Sequence, residues 1–270
     1  MIQFLSQIWI FLILCTPYMG IVEFLNSIQE NECTQDICKK VEHKFDNLDY
    51  GIPGKCDVML ERDGYSVGYS TNWKQAVWVS YRLTRDEVMS NEVERGSFFA
   101  RDRELEVGYS TPQDYANSGY DKGHLAPAAD MMWADKAMKD SFLMSNVSPQ
   151  APSFNRGIWS SLEQWCREKA KKETNIVIVT GPIVTTNDLK NTIGRNRVVI
   201  PSAFYKVIYD ETPPCKMIGF IMPNKGTKDA LSAFVVTVNC VEGVTLLDFF
   251  NELPDELEEK LEVTSDFDSW

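Results

Sequence analysis

The chain of 270 residues has only two histidines, and one of them, His124, stands in the stretch Asp121-Lys122-Gly123-His124-Leu125-Ala126-Pro127. Histidine is the side chain best suited to moving protons near neutral pH. The glycine before it lets the backbone approach a ligand closely or take a conformation that other residues avoid. Alone this is weak, because a lone histidine is more often structural. Downstream, Ser145-Asn146-Val147-Ser148-Pro149-Gln150 is followed by Phe154-Asn155-Arg156-Gly157-Ile158-Trp159 and then by Leu162-Glu163. Asn155 and Glu163 are eight residues apart. On a helix that spacing is a little over two turns, so both side chains can face one broad side and offer oxygen ligands directly or through water. Asn155 also suits a helix cap, a role compatible with holding a metal.

Oxygen ligands, few of them charged, suit a hard ion such as Mg²⁺, with Mn²⁺ as the alternative, that keeps several waters and meets the protein mainly through substrate phosphate. A neutral histidine nearby would take a proton from water while the metal stabilises the developing charge and the leaving oxygen. Together these describe phosphodiester hydrolysis. Lys122, Arg95, Arg101, Arg103 and Arg167 are candidate phosphate contacts, and each also reads as an ordinary solvated charge.

The elements that must position these residues are legible in part. Ala76 to Leu83 is rich in β-branched and aromatic residues and alternates in its second half, as a strand does. Further strands are expected at Ile176 to Val179, Val198 to Ile200, Phe204 to Ile208 and Met217 to Met222. Met131 to Leu143 has no β-branched residue, and Ile158, Leu162 and Trp165 recur at helical spacing after Asn155. Leu253-Pro254-Asp255 leads into a short helix with proline at its start. Strands and helices without regular βαβ alternation indicate an α+β fold.

With 44% hydrophobic residues the chain can bury a substantial core. Residues 1–20 carry no charged side chain and hold an apolar run from Ile8 to Cys15, too short to span a bilayer. They read as a signal peptide, with an uncleaved membrane anchor as the competing reading, so the mature protein is expected to be secreted or periplasmic, without stable membrane association after cleavage. Residues 21–56 form a polar, cysteine-bearing N-terminal extension containing His43, followed by one catalytic-size domain over 57–264 and an acidic tail over 265–270. Outside the leader lie Cys33, Cys38, Cys56, Cys166, Cys215 and Cys240, which permit up to three disulfides in an exported protein. Zinc is disfavoured, since no CxxC pair and no cysteine–histidine neighbour is present.

The net charge of −12 argues at first against a phosphate-covered partner. Residues 251–270, however, carry −7 of it and the rest only −5. Binding to nucleic acid would therefore need a local basic cleft rather than long-range steering.

Asp121-Lys122-Gly123-His124 resembles the Asp-Arg-Gly-His signature of the DNA/RNA non-specific endonucleases, the group with a ββα-metal (His-Me finger) site that includes endonuclease G-like enzymes. Ser145 to Gln150, Phe154 to Trp159 with Leu162-Glu163, Thr180-Gly181-Pro182, Pro201 with Phe204-Tyr205-Lys206, and Met222-Pro223-Asn224 resemble further family blocks in family order, from about Gly64 to Leu261. The resemblance implies a ββα-metal fold, with a mixed, mostly antiparallel central sheet flanked by helices, and DNA and RNA as substrates. It implies His124 as general base, Asn155 as the single direct protein ligand of a divalent metal, and Glu163 as the holder of water on that metal. Asp121, Asn146 and Gln150 would support the site, and Arg167 would contact phosphate. Lys122 departs from the usual arginine: it keeps the charge but loses the bidentate fork. The upstream family arginine is either Arg95, which fits by its spacing to Phe99, or Arg101. A catalytically dead nucleic-acid-binding module and a disulfide-bonded interaction protein are the competing classes. The oligomeric state is left open, a homodimer included.

Overall fold

The computed structural model describes residues 45–270. Its strands run in the order β1 (Val58–Glu61), β2 (Ser66–Ser70), β3 (Gln75–Thr84), β4 (Asp121–His124), β5 (Val147–Gln150), β6 (Asn175–Ile183), β7 (Thr192–Ile193), β8 (Val198–Val199), β9 (Ala203–Asp210), β10 (Lys216–Pro223) and β11 (Val235–Val236). The α-helices are α1 (Arg85–Met89), α2 (Asp135–Ser141), α3 (Ser160–Glu173), α4 (Val238–Thr245) and α5 (Asp255–Glu262). Seven strands form one sheet in the order β1-β2-β3-β6-β9-β10-β11, while β4 pairs with β5 and β7 with β8. The expected α+β class holds, and every ladder is antiparallel rather than mixed.

The sheet is apolar on both faces, and the period of two explains how. From β3 and β9, Val79, Tyr81, Leu83, Phe204 and Ile208 enter one core with Phe154, Trp159, Leu162 and Cys166 from the α3 region. Trp78, Tyr205, Val207 and Tyr209 enter the other core with Val241, Val244 and Leu261 from α4 and α5. The first core lies under α3 and takes in Leu125 and Ala126, just after β4. The second is covered by the C-terminal helices and by Leu48, with Tyr50, Ile52 and Cys56 packed against it.

Residues 45–56 thus pack on the sheet, and Ser80 Oγ donates to the Asn47 carbonyl at 2.7 Å. The C-terminal residues pack as well. Trp270 is 7% exposed, and Phe267 and Trp270 lie on Trp165 at 5.5 and 5.6 Å between ring centroids. Val198 and Val199 form a strand, as expected, but in the separate β7–β8 hairpin. The helix expected over Met131 to Leu143 is shortened to α2: residues 131–134 form a turn before it, and past its end the Phe142 carbonyl accepts from Ala100 N–H at 3.1 Å. Pro254 stands immediately before α5.

Cys166 and Cys215 are free thiols, so the six cysteines outside the leader are not all paired. Cys166 is held inside the core by α3, away from any surface where a partner cysteine would reach it. The expected leader, His43, Cys33 and Cys38 lie outside the described residues. Among the described residues no helix is long and apolar enough to cross a membrane.

Candidate active site

His124 closes β4, where it stands opposite Val147 of β5. Its ring lies between Phe99, at 5.1 Å, and Phe142, at 4.9 Å edge-on. Burial in this aromatic cage, with the charge of Arg95 added, pushes the imidazolium down to about 3. His124 is therefore neutral at physiological pH. Its Nε2 is buried with no hydrogen-bond partner among the described residues.

The turn after the histidine is fixed by Asn146, which is fully buried. Its Oδ1 accepts from Ala126 N–H at 2.9 Å, and its Nδ2 donates to the carbonyls of Ala126 and Ser141 at 2.8 and 2.9 Å. The Asn146 carbonyl also accepts from Leu125 N–H at 3.0 Å. Asn146 is thus a brace for the backbone that carries His124. Gln150 supports the other side. A Cβ on Gly123 would lie 2.2 Å from Gln150 Cδ, so Gly123 makes room for a side chain of the partner strand rather than for a ligand. Ser148 Oγ donates to Gln75 Oε1 at 2.5 Å, which ties the hairpin to the main sheet.

After β5 the chain enters a helical run, Phe154–Trp159, that leads into α3 and is kinked at Gly157, where φ −110° and ψ −113° leave helical values. Asn155 sits before the kink and donates its side-chain N–H to Asp121 Oδ2 at 2.9 Å. A carboxylate can only accept, so this bond fixes which end of the carboxamide is which and leaves Oδ1 as the free acceptor. Asp121 is also gripped by Arg156 through Nε at 2.8 Å and Nη2 at 2.6 Å. These bonds, with Arg156 foremost and Asn155 adding to it, hold the Asp121 carboxyl below its ordinary value. Arg156 is a site residue that the sequence did not single out, although a bidentate partner for Asp121 was the cue to look for.

Two turns on, Glu163 and Arg167 lie on α3 above the sheet. Burial raises Glu163 to about 7, opposed first by the charge of Lys206 and reinforced by Asp130. Arg167 Nη1 bonds Asp130 Oδ1 at 2.8 Å, and Tyr81 donates its hydroxyl to Asp130 Oδ2 at 3.1 Å. Arg167 is thus engaged by a buried carboxylate rather than presented alone to solvent. Beneath them Lys206 rises from β9 on the same face as Phe204 and Ile208. Its Nζ is buried without a hydrogen-bond partner among the described residues, 4.8 Å from the Trp159 ring centroid. Burial pushes the lysine down. Lys206 and Asp130 were not among the expected site residues. Each sits in an apolar run where sequence gives no sign of a charged cluster.

The two candidate upstream arginines part company. Arg95 is exposed and its charge acts on both His124 and Glu163. Arg101 is turned onto its own loop, where its guanidinium stacks 3.4 Å from the Tyr109 ring centroid and donates to the Leu105 carbonyl at 2.9 Å. Lys122 alternates with Gly123 onto the His124 face of β4, and its Nζ stands 5.3 Å from the Phe99 ring centroid.

A hard divalent cation seeks oxygen donors. Asn155 offers Oδ1, and Glu163 offers a carboxylate whose charge burial penalises and a nearby cation would restore. These residues fit such an ion. A metal held by one protein ligand leaves no cluster of acids to find. Among the described residues the cluster of three acids whose oxygens lie within 4.8 Å of one another is Glu242, Asp248 and Glu262, in the C-terminal layer.

The arrangement of hairpin, kinked helix, neutral histidine and oriented carboxamide can be set beside known proteins. The family model described as DNA/RNA non-specific endonuclease matches residues 43–256. Nuclease C1 of Cunninghamella echinulata var. echinulata is 36% identical over 221 residues, which cover 76% of this chain and 88% of that protein. Mitochondrial endonuclease G of Homo sapiens is 32% identical over 206 residues, covering 72% and 69%. A chain in a crystal structure of an EndoG/EndoGI complex superposes with a TM-score of 0.72 at 31% identity, covering 78% of this chain and 92% of that one. The chain belongs to the DNA/RNA non-specific endonuclease family.

Proposed function

We propose that this endonuclease hydrolyses DNA and RNA with little sequence preference, using His124 as general base and a Mg²⁺ ion held by Asn155. The observation that carries the reading is the pairing of a neutral, caged His124 at the end of β4 with an Asn155 carboxamide whose oxygen is left free by its bond to Asp121. A bound divalent ion supplies stabilisation of the charge that develops on phosphate and leaving oxygen. His124 takes the proton from the attacking water, which its neutral imidazole is able to accept. Phe99 and Phe142 hold the ring and exclude bulk water. Glu163 would help hold a bound divalent ion through water, and Arg95, Lys122 and Arg167 would bias the cleft toward phosphate. Contacts of this kind go to the backbone and read no bases directly, which supports low sequence preference.

Export is proposed from residues 1–20 alone. Endonuclease G of Homo sapiens and several other relatives are named as mitochondrial. N-terminal sequencing of the mature protein from medium and from organelle fractions separates the two: a mature chain starting near residue 21 in the medium supports export.

The test of the activity is incubation with circular single-stranded DNA and with RNA, in magnesium and in chelator, beside His124→Ala. Cleavage of the circle that needs both metal and His124 supports the reading. Binding without cleavage in magnesium would instead favour a dead binding module.

A further inference from the structure

Residues 190–197, Lys-Asn-Thr-Ile-Gly-Arg-Asn-Arg, hold three cations and no acid in a chain of net charge −12. Lys190, Arg195 and Arg197 are exposed. None of the three has an ion-pair partner among the described residues, whereas Arg62, Arg82, Arg156 and Arg167 all do. The fold gives these three charges nothing to do.

The segment that carries them is firmly built. Asn196 bonds Asp114 through its backbone N–H at 2.9 Å and its Nδ2 at 2.8 Å. Gly194 turns at φ +66°, where a Cβ would meet Asp114 at 2.3 Å. The far strand is pinned by Val199 N–H to the Trp73 carbonyl at 3.1 Å and by Gln75 Nε2 to the Val199 carbonyl at 2.8 Å. A pinned basic hairpin is a preformed surface, which binds an anion without an ordering cost.

Beside it lies a cavity of about 530 Å³ lined by Tyr120, Lys190, Asn191, Thr192, Ser202 and Asn224, among others. That volume is within the range of small-ligand sites. Its wall is tied to the active site: Asn224 donates to the Pro149 carbonyl at 3.0 Å and accepts from Ala151 N–H at 2.8 Å, and Pro149 stands opposite Lys122. Tyr120 precedes β4 directly, four residues from His124. At full extension that is roughly 13 Å of chain, which matches about four nucleotide rises of a strand in duplex form.

We propose that the β7–β8 hairpin and this cavity form a second binding site for the substrate, taking the phosphates and an unpaired base of the nucleotides that flank the scissile bond. The inference rests on the endonuclease reading above. Lys190, Arg195 and Arg197 meet phosphates, and the Tyr120 ring meets a base, the combination by which proteins hold single strands without reading sequence. An acidic protein thereby concentrates its grip in a local basic strip continuous with the His124 cleft.

The test is the salt dependence of binding of a 20-nucleotide single-stranded DNA to the full chain in chelator, for the parent and for the triple variant Lys190→Ala, Arg195→Ala, Arg197→Ala. Each phosphate contact contributes about 0.7 to the slope of log K against log salt for single strands. The variant is expected to lose about 2 from that slope and roughly 10- to 100-fold in affinity at low salt, with an unchanged melting temperature. A trinucleotide, too short to reach both places, should lose far less. Tyr120→Leu should weaken the 20-mer about tenfold without changing the slope. If the parent binds and cleaves while the triple variant keeps the parental slope and affinity, the second site is wrong and the endonuclease reading stands. A parent chain that neither binds nor cleaves the strand overturns both.

Discussion

Asn155 donates its side-chain N–H to Asp121 Oδ2 at 2.9 Å, joining the start of the ββα motif to the helical run Phe154–Trp159 that leads into α3. The bond dictates which atom of Asn155 is free, and the Arg156 fork holds Asp121 in place to make it. Asp121→Ala is expected to raise the magnesium concentration for half-maximal activity by about 10- to 100-fold, the usual cost of losing a residue that orients a metal ligand. A magnesium titration superimposable on the parent's would show that Asp121 does not orient the ligand.

His124→Ala should lower kcat by about 10²–10⁴-fold, the usual contribution of a positioned base. Because burial and Arg95 hold its imidazolium down to about 3, His124 stays neutral from pH 5 to 8. Its titration therefore produces no acid limb near 6.5 in kcat/KM. A limb at that pH which disappears in an active His124 variant would contradict the caged geometry.

Gly123→Ala should destabilise the fold by about 1–3 kcal/mol through overpacking against Gln150. Urea denaturation measures it. Adding Gln150→Ala should recover part of the loss, since the clash is with that side chain; no recovery would place the strain in the backbone instead.

Glu262 is 7% exposed and faces Glu242, Glu258 and Asp248. Burial first, then the charges of Glu242 and Glu258, push its carboxyl up to about 8. The folded state holds this proton more tightly than the unfolded chain does. Stability is therefore greatest below the ordinary carboxyl value near 4.3 and falls as pH rises through about 8. Glu262→Gln keeps the neutral shape, so it should raise Tm by about 3–8 °C at pH 8.5 and leave it nearly unchanged at pH 5. Equal Tm shifts at both pH values would point to packing rather than charge.

How much of this was legible in sequence depends on the range of the interactions. The long strands β3, β6, β9 and β10 were readable because alternation and β-branching are local. So was α3, where Leu162 and Trp165 recur at helical spacing, but the kink at Gly157 that separates Asn155 from Glu163 was not. β4 and β5 were not, since four residues such as Asp121–His124 become a strand only by pairing with Val147–Gln150. Asn146 and Gln150 were expected to support the site, but how they do so depends on contacts to Ser141, Ala126 and Gly123 that no spacing encodes. Lys206 was hidden for the opposite reason. It lies in Ala203–Asp210, a strand buried along its whole length, and its charge gains meaning only from Glu163 and Asp130 on other elements.

Cys166 sits one turn after Glu163 on α3, with its thiol sealed in the core and pushed up to about 12 by burial. A thiol in that state is inert to alkylating reagents while the helix is seated. Its labelling rate therefore counts how often α3 lifts from the sheet. The chain carries its own clock for opening of the helix that bears Glu163 and Arg167, readable by alkylation and mass spectrometry without an engineered cysteine.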